Sequence, residues 1–170
     1  MAKREPPPIA ILCVEDEPDV LDALVRDLAE FEEHFQIDTA ADTTEARAAL
    51  QRFHDGGIAV GLIFCDHILP GENGVDLLIA LHKEPATQKT RKVLFTGQAG
   101  LEATVAAVNR ARLDYYIAKP WKKEDVVECA REQLTRFVLD QELNPLPYMS
   151  ILDATALADA IAHHDYLADR

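Results

Sequence analysis

Short apolar runs alternate along this chain with longer stretches whose apolar residues recur at helical spacing. Four of the runs stop at polar residues. They are Ile9-Ala10-Ile11-Leu12-Cys13-Val14 before Glu15-Asp16, Leu62-Ile63-Phe64-Cys65 before Asp66, Val93-Leu94-Phe95 before Thr96, and Tyr115-Tyr116-Ile117-Ala118 before Lys119. Unbroken apolar runs of this length predict strands of a parallel sheet buried on both faces. A further strand is predicted near Phe35 to Ala40.

The intervening stretches predict helices. Pro18 suits a first helical turn, and Leu21, Leu24, Val25 and Leu28 follow at i, i+3, i+4 and i+7. Asp42-Thr43-Thr44-Glu45 has the spacing of a capping box opening a helix through about Phe53, which Gly56-Gly57 ends. The turn-rich segment Pro70-Gly71-Glu72-Asn73-Gly74 leads into a helix carrying Val75, Leu78 and Ile79. A fourth helix is predicted with Leu101, Val105 and Val108 on its apolar face, and a long fifth with Val127, Ala130, Leu134, Phe137 and Val138.

Five strands alternating with five helices predict a three-layer, doubly wound α/β domain over roughly residues 9–143, because each crossover is right-handed and both sheet faces need cover. Residues 1–8, with three consecutive prolines, are expected to form a disordered arm. Leu143-Asn144-Pro145-Leu146-Pro147 breaks the last helix, and Leu152, Leu157, Ile161 and His164 predict one further short helix ending near Asp169, within an extension over 144–170.

The polar residues that end the strands change the picture from fold to chemistry. The carboxyl ends of the strands in an open parallel sheet form its ligand crevice. Glu15, Asp16 and Asp66 offer the hard oxygen ligands that Mg²⁺ or Mn²⁺ takes. A carboxylate is ionised at neutral pH and attacks phosphorus without a general base, so Asp66 is a candidate nucleophile. Phosphoryl transfer asks mainly for in-line positioning and for cancellation of charge on the equatorial oxygens, which Lys119, Thr96 and backbone N–H groups can supply. Taken singly these residues are ordinary helix caps and strand ends. Their joint placement on four strand ends is what points to a phosphate site.

Composition narrows the partners. The 30 acidic against 17 basic residues leave a net charge of −13, which opposes nucleic-acid phosphates and anionic lipid. No apolar stretch approaches the roughly 20 residues that span a bilayer. Cys13, Cys65 and Cys129 lack metal-ligand spacing and read as buried thiols of a cytoplasmic protein. His67 is expected in a solvated loop, and His163 and His164 on an exposed helix surface.

At these residues the chain resembles the receiver domain of bacterial two-component response regulators, of the chemotaxis-regulator kind. The resemblance rests on Glu15-Asp16, on the run Asp66-His67-Ile68-Leu69-Pro70-Gly71-Glu72-Asn73-Gly74, on Thr96-Gly97 and on Lys119-Pro120, in that order over roughly residues 9–138. It implies a flavodoxin-like sheet of strand order 2-1-3-4-5, with a C-terminal helical tail added here. It implies that Asp66 accepts a phosphoryl group from a histidine kinase or phosphotransfer protein. Asp16, Asp66, the backbone carbonyl of Ile68 and, through water, Glu15 would hold the metal; Thr96, Lys119 and the N–H of Gly97 would hold the phosphoryl oxygens. Thr96 and Tyr116 would form the switch that remodels a surface of helix four, strand five and helix five. Glu15 stands where an aspartate is frequent, and Ile68 and Gln98 occupy positions that tune attack of water on the acyl phosphate. The aliphatic Ile68 implies slow decay.

The expected output is a contact with a downstream protein or with a second copy, through the tail or through the helix-five stripe Leu134, Phe137 and Val138, with a tail folded back on its own domain as the alternative. A non-phosphorylated interaction module is a further reading. An aspartate-nucleophile phosphatase would need a second aspartate where Ile68 stands. A tail without linker composition favours a free-standing protein over a fragment of a longer one.

Overall fold

The computed structural model describes residues 7–97 and 101–168. The expected arm falls outside them except for Pro7 and Pro8, and Gln98 falls outside them as well. Five parallel strands form one sheet: β1 (Ile9–Val14), β2 (Gln36–Ala40), β3 (Ala59–Asp66), β4 (Arg91–Thr96) and β5 (Tyr115–Ala118), in the order β2-β1-β3-β4-β5. The flavodoxin-like order expected from the sequence is the one observed. The helices are α1 (Pro18–Asp27), α2 (Thr43–Asp55), α3 (Gly74–Lys83), α4 (Leu101–Ala106, running on as a π-helical turn over Ala107–Ala111), α5 (Lys123–Asp140) and α6 (Ala154–Ala168). No described helix is long and apolar enough to cross a membrane.

Each face of the sheet carries its own core. On one side Ile9, Ile11, Cys13, Leu62 and Phe64 pack with Leu24 and Leu28 near α1 and with Val126, Ala130 and Leu134 of α5. On the other, Ala10, Leu12, Ile63 and Leu94 pack with Ala46 and Phe53 of α2 and Leu77, Leu78 and Leu81 of α3. The split follows the pleat, since successive residues of a strand point to opposite faces. The register of β1 on β3 slips past Gly61. A Cβ there would come 2.6 Å from Ile9 Cγ2 and 3.3 Å from both Leu134 and Phe137, so this glycine lets α5 lie close on the sheet.

Local signals account for the helix ends. Asp42 Oδ1 accepts the N–H of Glu45 at 2.8 Å, while Glu45 Oε2 accepts the N–H of Ala41, one residue before the cap. Asn73 caps α3 by accepting the N–H of Asp76 at 2.9 Å. Asp153 Oδ1 accepts the N–H of Ala156 at the start of α6.

Two expectations are corrected. Of the apolar face predicted for α4, the Leu101 side chain lies outside what the structure describes, Val105 and Val108 are each 50% exposed, and Thr104, Ala107 and Ala111 face the interior instead. Small residues let this helix approach α3 and β4 closely, and contact distance decides the matter over side-chain hydrophobicity. The stripe Leu134, Phe137 and Val138, expected as a pairing face, is buried in the chain's own core. Residues after α5 fold back on the domain, so that Tyr148, Ile151, Leu152 and Leu157 join the α1–α5 cluster. Tyr148 stacks on Phe35 with ring centroids 5.6 Å apart, and Arg131 donates to the Ile151 carbonyl.

Candidate functional site

The acidic residues, the threonine and the lysine meet at the carboxyl end of the sheet. Asp66 is the last residue of β3, in register with Phe95 of β4 and one residue beyond the end of the β1 ladder, and both it and Glu15 are buried. Glu15 follows β1, and its N–H donates to the Ala40 carbonyl of β2. Asp16 is exposed at the rim. Carboxylate oxygens of Glu15, Asp16 and Asp66 all lie within 4.8 Å of one another.

The loop after Asp66 is pinned at its start and end. The His67 N–H donates to the Phe95 carbonyl, and the His67 carbonyl accepts the N–H of Gly74. A Cβ on Gly74 would fall 1.9 Å from the Asp66 carbonyl oxygen, so only glycine allows α3 to begin this close behind the aspartate. Arg47 of α2 grips Glu72 of the same loop through two contacts of 2.8 and 3.1 Å. Ile68 is 70% exposed in this loop, and His67 is half-buried.

Lys119 closes the site from β5. Its N–H donates to the Thr96 carbonyl at 2.8 Å, and its Nζ lies 2.7 Å from Glu15 Oε2 and 3.2 Å from Asp66 Oδ1. The peptide bond from Lys119 to Pro120 is cis. Burial works against the charge on Lys119, but the hydrogen bond to Glu15 and the charges of Asp66 and Glu15 outweigh it and hold its pKa above the usual value. Burial pushes the Glu15 carboxyl above its usual range, opposed by the bond from Lys119 and one from the Glu17 N–H. Asp66 adds to the rise through its like charge.

Thr96 ends β4 and is buried; Gly97 follows it with open space where a side chain would stand. Tyr116, in register with Leu94, is on the opposite face of β5 from Tyr115 and Ile117, and is 56% exposed. Both tyrosines are exposed because β5 is an edge strand. Trp121 was not singled out by sequence. It packs its ring on Phe95 at 4.8 Å, donates Nε1–H to Asp27, and so braces the chain beyond Lys119 against the residue preceding Thr96. Its only sequence signal is its position two residues after Lys119. The Arg47–Glu72 pair, separated by 25 residues, has none.

The donor set fits a small hard dication. Three carboxylates within reach of one another supply oxygen ligands alone, with one of them at the solvent edge where water can complete the shell. The three cysteines are free and buried, and none enters this set.

A sequence profile for the response regulator receiver domain matches residues 11–131. Among curated proteins, the hydrogenase transcriptional regulatory protein HoxA of Cupriavidus necator is 30% identical over 136 residues, covering 80% of this chain and 26% of that protein. The transcriptional regulatory protein TcrA of Mycobacterium tuberculosis is 28% identical over 162 residues, covering 95% and 57%. The chain therefore spans between about a quarter and somewhat over half the length of these relatives. Among solved structures, a CheY-like receiver domain protein from Methanospirillum hungatei superposes with a TM-score of 0.67 at 29% identity, over 78% of this chain and 98% of that one.

Proposed function

The chain belongs to the response-regulator receiver family, and from that premise we propose that it is a signalling switch whose Asp66 carboxylate accepts a phosphoryl group. The observation that carries the reading is the gathering of Asp66, Glu15, Asp16 and Lys119 around one point at the carboxyl end of the sheet.

In the proposed reaction an oxygen of Asp66 attacks the phosphorus of a phosphohistidine on a kinase or phosphotransfer partner. The O–P bond forms as the N–P bond breaks, and the partner's imidazole leaves. Glu15, Asp16, Asp66 and the Ile68 carbonyl are the groups that would hold Mg²⁺ or Mn²⁺. Bound there, the ion would offset negative charge on the phosphoryl oxygens. Lys119, freed from one of its two carboxylates, would pair with a phosphoryl oxygen, and the Thr96 hydroxyl and Gly97 N–H would take the others. Burial of Asp66 excludes bulk water from one side of the acyl phosphate. Ile68, with no group to orient a water, favours a long-lived product, and Gln98 is the second residue proposed to tune that lifetime.

The proposed output is a protein contact in the cytoplasm. Val105 and Val108 of α4 and Tyr115 and Tyr116 of β5 are large side chains left exposed on successive elements, and in the proposed switch Tyr116 would turn inward as Thr96 moves towards the phosphoryl group. The curated relatives are transcriptional regulators. For this chain a net charge of −13 favours a protein target over direct contact with DNA.

The test is intact mass after incubation with Mg²⁺ and a small-molecule phosphodonor. One added phosphoryl group on the wild type and none on Asp66→Ala is the expected result. Equal labelling of both proteins would assign the phosphoryl group to another residue, and no labelling of either, with a small donor or a panel of kinases, would leave a silent interaction module.

A further inference from the structure

A second concentration of chemistry lies at the other end of the sheet. A cavity of about 400 Å³ opens among the amino end of β4, the segment entering β5 and the last turns of α3, α4 and α5. Four cationic side chains, Lys89, Arg91, Lys92 and Arg112, line it against two carboxylates, Asp114 and Asp140. In a chain with a net charge of −13 this is a local inversion of sign.

The two carboxylates are already engaged. Asp114 Oδ1 pairs with Arg91 at 3.0 Å and Oδ2 accepts the backbone N–H of Lys92 at 2.7 Å; Asp140 also pairs with Arg91. Neither Lys92 nor Arg112 has an ion-pair partner among the described residues. Lys92 is only 1% exposed, and its ammonium donates to the carbonyls of Thr90 at 2.7 Å and Gln88 at 3.3 Å, leaving one N–H without an acceptor among the described residues. His82 at the end of α3 has its Nδ1 buried with no hydrogen-bond partner among the described residues. His82, Lys92 and Arg112 line the same cavity, and burial, then the charges of Lys92 and Arg112, lower the His82 pKa against the opposing charge of Asp114.

Native proteins rarely leave buried polar atoms unpaired, and the Lys92 ammonium feels the Asp114 carboxylate only at a distance, since that carboxylate is paired with Arg91. One bound anion would answer the Lys92 charge, the unpaired Arg112 and the His82 Nδ1 together. We propose that this cavity binds a small tetrahedral oxyanion, a phosphate group either free or carried as a monoester, through Lys92, Arg112 and His82. A guanidinium offers two parallel N–H donors and an ammonium a compact charge, a combination suited to phosphate oxygens. The volume exceeds that of a lone anion and leaves room for a small organic body. The site is distinct from Asp66 and does not depend on its phosphorylation.

The experiment is a titration of the Mg²⁺-free full chain with inorganic phosphate and, separately, with glycerol phosphate, at constant ionic strength, following backbone amide NMR shifts. Saturable shifts centred on His82, Lys92 and Arg112 are expected. Arg112→Asn, which tolerates the left-handed backbone held at φ 56°, and Lys92→Met should each weaken binding about tenfold or more, with labelling of Asp66 unchanged. Tighter binding of the ester identifies an organic phosphate as the ligand, and equal binding identifies the free ion. The proposal is overturned by shifts confined to Asp66, Thr96 and Lys119, by no saturable response in the wild type, or by an unchanged affinity in Arg112→Asn, a surface variant expected to fold.

Discussion

Lys119 Nζ lies closer to Glu15 than to Asp66, at 2.7 against 3.2 Å. The longer side chain of glutamate reaches the ammonium, so the cation proposed to meet a phosphoryl oxygen rests on a group proposed to serve the metal. On that reading Lys119 and a dication would compete for the same carboxylates. Lys119→Met is expected to bind Mg²⁺ several-fold more tightly while slowing labelling of Asp66 by about a hundredfold or more. Trp121, the only tryptophan, stacks on Phe95 beside the site, and its emission provides the metal titration. Weaker Mg²⁺ binding in this variant would show that the lysine organises the carboxylates rather than competing for the ion.

Protonation of Glu15 should be felt before that of ordinary carboxylates, because burial raises its pKa. Mg²⁺ affinity is therefore expected to begin falling at a pH above the usual glutamate range as acid is added. Glu15→Gln should bind Mg²⁺ about tenfold more weakly at neutral pH and lose that early phase. Trp121 emission titrated with Mg²⁺ at several pH values checks both.

Gly74→Ala is expected to destabilise the protein by about 3 kcal/mol or more, because the added Cβ would fall 1.9 Å from the Asp66 carbonyl oxygen, far inside van der Waals contact. Denaturant unfolding measures it. A loss under 1 kcal/mol would mean that the start of α3 gives way easily, and that Asp66 is less tightly backed than the packing indicates.

Leu157→Ala probes the tail. The leucine is fully buried, and its truncation should cost about 2–5 kcal/mol, as for a core leucine, while leaving Asp66 competent for labelling. An unchanged unfolding midpoint would show that α6 leaves the domain in solution.

The buried Lys92 makes a signed pH prediction. Burial lowers its pKa to about 8 from 10.5, so between these values the unfolded chain binds the proton that the folded one has released. Its contribution to stability must then rise with pH across that window, by up to ~3 kcal/mol. Lys92→Met should flatten this rise in denaturant unfolding followed from pH 7.5 to 10. Parallel pH profiles for variant and wild type would refute the assignment.

The sequence by itself determined the strands, their ends and the polar residues that gather at the carboxyl end of the sheet, because a strand buried on both faces is apolar along its length and its first polar residue marks the crevice. Asp66, Thr96 and Lys119 were legible for that reason. The capping residues Asp42 and Asn73 act on neighbours three positions away, a range that spacing reveals. Tertiary structure decided what depends on who packs against whom. Which face of α4 turns inward was set by the closeness that Thr104, Ala107 and Ala111 permit, against the hydrophobicity of Val105 and Val108. Whether Leu134, Phe137 and Val138 met another copy or their own domain depended on the return of Tyr148, Ile151, Leu152 and Leu157 over α1 and α5. The cationic cavity gathers His82, Lys92 and Arg112 from separate elements, and no spacing along the chain encodes that meeting. Local pattern carries information about one element's own face, whereas the partner of that face is a property of the whole packed molecule.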